Sequence, residues 1–141
     1  MVKRIQWWQI LLVFVAIILI VCVGGILRVT LATSGTAYYH KGDTEISIKL
    51  SQSDVNALRE SLAVDNYRVV GFGTGFARCG FTENCYVRFG GLTFMMGKDD
   101  CPSVHIKELN LTYSITREGN DALRSLLTQY GFSFPYGYDT E

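Results

Sequence analysis

From Ile5 to Leu27 the chain runs for 23 residues without a formal charge, bounded by Arg4 and Arg28. A helix of that length reaches roughly 35 Å at 1.5 Å per residue, enough to cross a hydrocarbon core of about 30 Å with some tilt. A water-soluble core has no use for so long and so uniform an apolar segment, so the run predicts a transmembrane anchor over residues 1–28, in contact with the lipid bilayer through residues 5–27. A cleaved signal peptide would carry a shorter apolar region of roughly 7–15 residues followed by a small-x-small site. Gly35-Thr36-Ala37 could serve as such a site, but the length of the run favours an uncleaved anchor. A lipoprotein signal ending at Cys22 fits poorly, because bulky Val21 stands where a small residue is needed, and Cys22 reads as an apolar filler of the helix.

The flanks give an orientation. Lys3, Arg4 and the amino terminus precede the run, while Arg28 alone follows it closely. Retention of positive charge inside then places the N-terminus in the cytoplasm and the rest of the chain outside the cell membrane. Trp7 and Trp8 suit the inner interfacial belt. The zero net charge of the whole chain conceals an asymmetry: residues 39–141 hold 10 basic and 13 acidic side chains, a net of −3. A mildly acidic domain without a basic stripe argues against nucleic acid as a partner.

Residues 29–43 are rich in Thr, Ser, Gly and Ala, lack a sustained period and end in Lys41-Gly42-Asp43, and so predict a stalk. The domain is then expected over 44–141. It opens with alternation of Ile46, Ile48 and Leu50 against Glu45, Ser47 and Lys49, a half-buried strand. Ser51 with Asp54 three residues on predicts a capping box, Leu50 and Val55 a hydrophobic staple, and Val55, Leu58 and Leu62 one helix face. A second strand-to-helix unit follows about 65 residues later. There Leu111, Tyr113 and Ile115 alternate, Thr116 stands at the cap, Ala122, Leu123, Leu126, Leu127 and Tyr130 form the apolar face, and Gly131 provides the stop. The two units resemble each other in Ala57-Leu58-Arg59 and Ala122-Leu123-Arg124, although any two such junctions share a pattern. Between them, Tyr67–Val70, Tyr86–Phe89 and Leu92–Met96 are β-prone, and Gly90-Gly91 predicts a tight hairpin. The expected fold is α+β: a transmembrane helix, then a two-layer domain with an antiparallel sheet and two helices in the order β-α-β-β-β-β-α.

Three cysteines, Cys79, Cys85 and Cys101, lie beyond the anchor. In an oxidising compartment a disulfide between two of them would stabilise so small a domain by about 2–4 kcal/mol. Three single bridges can be drawn, and the residues alone do not choose among them. Cys101 and His105 could join Cys79 and Cys85 in a Cys₃His zinc set, but the five residues between Cys79 and Cys85 are a loose spacing for zinc, and no metal is expected. Gly71, Gly73 and Gly75 lack the context of a nucleotide loop and read as a strand irregularity or turn. Asn110-Leu111-Thr112 is a formal glycosylation acceptor falling at a strand start. Asp99-Asp100 falls far short of a calcium loop.

Cys79-Gly80-Phe81, Asp99-Asp100-Cys101-Pro102, the strand Tyr113 to Thr116 and Tyr130-Gly131-Phe132-Ser133-Phe134-Pro135 together resemble a family of small uncharacterised bacterial proteins. Its pattern reads Cys-Gly-Phe, Asp-x-Cys, a strand running into a Leu-rich helix, and Tyr-Gly-x-x-Phe-Pro-Cys. The resemblance covers most of residues 44–136 and brings no established activity. It implies a Cys79–Cys101 bridge, because these two fall on the family's cysteine positions, with Cys85 left as a free thiol. Tyr136 stands where the family has its last cysteine, which argues against a metal site built on that position.

No acid, base and nucleophile set converges in the sequence, so no catalytic residue and no cofactor are expected. The leading functional expectation is a membrane-anchored interaction module that meets a protein partner outside the cytoplasm. Phe132, Phe134, Tyr136 and Tyr138 are candidate contact residues, or alternatively a strap over the core. The competing expectation is a thiol-active or metal-dependent enzyme using Cys85 or Cys101 with His105 as base.

Overall fold

The computed structural model describes residues 7–75, 80–98 and 100–133. It is an α+β protein: an apolar N-terminal helix, a seven-stranded sheet paired antiparallel throughout, and two further helices. The first helix, α1, spans Trp7–Thr30 with no buried residue and is long and apolar enough to cross a membrane. The strands are β1 (Gly35–Lys41), β2 (Thr44–Leu50), β3 (Val64–Phe72), β4 (Phe81–Phe89), β5 (Leu92–Gly97), β6 (Ser103–Ile106) and β7 (Leu111–Ile115). Helices α2 (Gln52–Ser61) and α3 (Arg117–Thr128) follow β2 and β7. Across the sheet the order is β2-β1-β4-β5-β6-β7-β3.

This order corrects the expected one by two strands. The segment 29–43, expected as a stalk, contains the end of α1 and the whole of β1, which is paired on both sides, with β2 and with β4. Its Lys41-Gly42-Asp43-Thr44 is a two-residue hairpin turn, with positive φ at Gly42 alone, the first central position. The second added strand, β6, has only four residues, too few to show a period.

The local signals otherwise act as their chemistry dictates. Ser51 caps α2 by accepting from the Asp54 amide, while the Asp54 carboxylate accepts from the Ser51 amide. These bonds, from the Ser51 side chain first and its backbone second, hold the Asp54 carboxyl below its ordinary range. Thr116 caps α3 by accepting from Gly119. Beyond α3, Gly131 takes positive φ and the Phe132 amide returns to the Leu127 carbonyl. Gly90 and Gly91 both have positive φ in the β4–β5 turn, as a primed hairpin requires.

Both helices cover one face of the sheet. Val55, Leu58, Leu62, Leu123 and Leu127 pack with Ala37, Tyr39, Cys85, Val87, Phe89, Phe94, Met96, Val104, Ile106, Tyr113 and Ile115 in a single core. The Tyr113 hydroxyl donates to the Leu62 carbonyl, and its burial pushes the phenol well above its ordinary pKa. Gly119 lets α3 approach α2: a β-carbon there would meet the Ser61 carbonyl oxygen at 2.5 Å.

α1 runs directly into this core. Val29 and Ala32 pack against it. Gly90 abuts the helix end so closely that a β-carbon on it would lie 2.6 Å from the Val29 Cα. The Arg59 guanidinium donates through Nε and Nη2 to the Val29 carbonyl, at 3.2 and 3.1 Å, and through Nη2 to the Ala32 carbonyl at 2.9 Å. A helix leaves its last carbonyls without partners and bears partial negative charge there, so a forked cation from α2 satisfies both needs. The helix and the domain therefore meet at a built joint. Gly35-Thr36-Ala37, the sequence's formal cleavage site, lies inside β1 with Ala37 fully buried. Cutting there would remove half of a doubly paired strand together with this joint.

Candidate functional site

Directly paired residues on neighbouring strands share a face of the sheet. On the face away from α2 and α3, one such row runs Ser47, Tyr38, Tyr86, Met95, His105 and Thr112. A second, nearer the β4–β5 turn, runs Lys49, Thr36, Arg88 and Thr93. Tyr38 and Tyr86 stack with ring centroids 4.8 Å apart. Between the rows lies a groove of about 360 Å³, lined by Glu83, Tyr86, Arg88, Thr93, Met95, Lys107 and Glu108.

The 3₁₀ turn Lys107–Leu109 forms one wall of the groove. The Glu108 carboxylate fixes it there, accepting from the Thr93 amide and the Thr93 hydroxyl, both at 2.7 Å. β6 pairs with β5 only at Phe94, Met95 and Met96, so the carboxylate stands where a strand partner for the Thr93 amide is missing. Burial opposes the ionised form of Glu108. The bonds from the Thr93 side chain and backbone, aided by the Arg88 charge, outweigh it and hold the carboxyl below its ordinary range. With Glu108 committed to Thr93, the groove offers a visitor Tyr86, Met95, Arg88, Lys107 and Glu83.

His105 is buried deeper in the same face, under the Phe81 ring at 5.4 Å. Its Nδ1 lies 2.9 Å from the Thr112 hydroxyl, and that hydroxyl donates its one proton to the Gly73 carbonyl at 2.6 Å. Thr112 can therefore only accept from the imidazole, which assigns the Nδ1–H tautomer to neutral His105. Burial lowers its pKa, favouring that neutral form.

Of the two thiols expected to act with His105, the structure sets Cys85 apart from it. Cys85 pairs with Tyr39, faces the core and is fully buried, whereas His105 belongs to the opposite face. The alternation of side chains along β4 thus keeps the Cys85 thiol and His105 apart, on opposite faces of the sheet. Cys101 is a half-buried free thiol that donates to the Ser103 hydroxyl at 3.6 Å. Its expected bridging partner Cys79 lies outside the described residues. Among the described residues there is no disulfide, and no cluster of three His, Cys, Asp or Glu side chains is placed to hold a metal ion.

The expected contact surface at the C-terminal end is corrected at Phe132. That ring is buried and stacks on Tyr39 at 4.9 Å, while the Ser133 hydroxyl meets the Tyr39 hydroxyl at 2.8 Å. Phe132 is a strap residue that closes the core after α3. Phe134, Tyr136 and Tyr138 lie outside the described residues. The groove residues were missed in the sequence because Tyr86, Arg88, Thr93 and Met95 converge only through strand pairing. The one local signal was the alternation along β4, with Tyr86 and Arg88 opposite in phase to Cys85, Val87 and Phe89.

Compared with protein-family models, curated proteins and solved structures, the chain finds no match in any of the three.

Proposed function

We propose that this protein is a membrane-anchored interaction module, held by α1 with its folded domain outside the cytoplasm, which meets a protein partner through the open face of its sheet. The observation that carries the reading is the groove between Tyr86, Arg88, Met95 and Lys107. Tyrosine, methionine and arginine are the residue types enriched where proteins meet, since they combine large contact area with polar anchoring. The groove lies beside the β4–β5 turn that abuts the end of α1, so a partner seated in it would be held near the membrane surface. Lys3 and Arg4 ahead of the apolar run support the orientation.

The test is a photoreactive side chain at position 86 of the full-length protein in intact membranes. One discrete protein adduct is expected, lost when Arg88→Glu is added while the domain's thermal unfolding stays unchanged. Absence of any protein adduct from positions 86 and 107 would refute the groove as a contact surface.

A further inference from the structure

Outside α1, the exposed large hydrophobic side chains among the described residues are Leu31, Phe72 and Leu109. All three belong to one end of the sheet. Gly35 pairs with Phe89 and with Leu50, Phe89 with Leu92, Ile106 with Leu111 and Leu111 with Phe72. The start of β1, the β4–β5 turn, the 3₁₀ turn after β6 and the end of β3 therefore share that end, and it is the end that receives α1.

A continuous series of contacts ties these segments together. Gly90 abuts Val29 at the foot of α1. Thr93, just beyond the turn, is bonded to Glu108 beside Leu109. Asn110, held in a left-handed conformation, accepts at its carbonyl from the Gly73 amide, next to Phe72. Phe72 at the end of β3 and Leu109 in the 3₁₀ turn thus stand on segments joined to each other, and through Glu108 and the β4–β5 turn to the helix end. Large apolar side chains left exposed along one end of a sheet, and nowhere else among the described residues outside α1, mark that end as a contact surface. Here the adjoining surface is the one α1 enters, and Arg28 near the end of α1 and Lys107 in the turn that carries Leu109 are exposed cations, the charge that anionic headgroups attract.

We infer that the α1 end of the sheet docks on the lipid surface, with Leu31, Phe72 and Leu109 as its apolar contacts. The domain then rests on the bilayer at a fixed height, and the groove opens sideways along the membrane. The inference relies on the reading of α1 as a membrane span, and the test separates the two. Full-length protein carrying a photoreactive side chain at position 72, 109 or 43 is irradiated in its own membranes, and the adducts are identified by mass. Asp43 lies in the β1–β2 turn at the opposite end of those strands.

Phospholipid adducts are expected at 72 and 109 and absent at 43. Protein adducts in their place, or no adduct at either position, would overturn the inference, the latter meaning that the sheet's twist carries these residues off the surface. Extraction of the unmodified protein by alkaline carbonate would instead refute the anchor itself.

Discussion

The joint between α1 and the domain makes a prediction that a flexible stalk does not. Arg59→Ala removes four hydrogen bonds, two to the Val29 carbonyl, one to the Ala32 carbonyl and one to the Asn56 side chain on α2 itself. A bond to a charged donor contributes about 1.5–3 kcal/mol net, and a cation at a helix C-terminus about 0.3–1 kcal/mol. Arg59 is half-buried, so water recovers part of what is lost, and the expected cost is about 2–3 kcal/mol. The assay is urea unfolding of the domain in nanodiscs, read by circular dichroism, together with amide exchange over residues 29–35. The midpoint should fall and exchange at the joint should rise. Arg59→Lys should recover only part of the loss, since one ammonium cannot bridge two carbonyls as the planar fork does. A stability change below about 0.5 kcal/mol with unaltered exchange would refute the joint and restore the stalk.

The core face gives a simpler case: Leu58→Ala should cost about 2–5 kcal/mol in the same unfolding assay, because Leu58 is fully buried against the sheet, and an unchanged midpoint would remove it from the core. Glu108, whose folded pKa is depressed, should contribute stability that is complete above the ordinary carboxylate value and lost as pH falls through the depressed one. The gap in stability between the wild type and Glu108→Gln should accordingly close in acid, and a gap that widened there would contradict the Thr93 bonds. We further propose that Cys79 and Cys101 join on oxidation. The Gly80 carbonyl accepts from the Lys98 amide, Phe81 pairs with Gly97, and Gly97 lies against Cys101, so Gly80, the residue after Cys79 in the sequence, shares one corner of the sheet with Cys101. Non-reducing peptide maps should show that bridge with Cys85 open to alkylation after unfolding, and a bridge to buried Cys85 would exclude it.

Features written in short-range chemistry were legible in the sequence. Ser51 and Asp54 three apart, Thr116 before a leucine-faced helix, and Gly90-Gly91 between β-prone runs each settle a boundary within a few residues, and the structure reproduces all of them. What was hidden depends on partners distant in sequence. β1 shows no hydrophobic alternation because it is an interior strand that carries Tyr38 on one face and Tyr39 on the other, so both phases are large and aromatic. Its Gly42-Asp43 turn was a usable hairpin signal, obscured by the small polar residues before it. Arg59 looked like an ordinary surface cation on α2; its role requires the foot of α1, about 30 residues earlier, to arrive beside it. The groove needs three strands and a 3₁₀ turn in register before it exists at all.

Labelling of lysines in intact cells distinguishes a folded domain carried outside the cytoplasm on an uncleaved α1 from the alternatives. A small, membrane-impermeant amine reagent is added before lysis, and the modified residues are mapped by mass spectrometry. Lys49, Lys98 and Lys107 are exposed on the domain, and Lys3 precedes the apolar run. Modification of Lys49, Lys98 and Lys107 is expected on a full-length chain that retains an unmodified Lys3. Modification of Lys3 with the domain lysines protected until lysis would contradict the orientation, and a mature chain beginning after Ala37 would contradict the anchor.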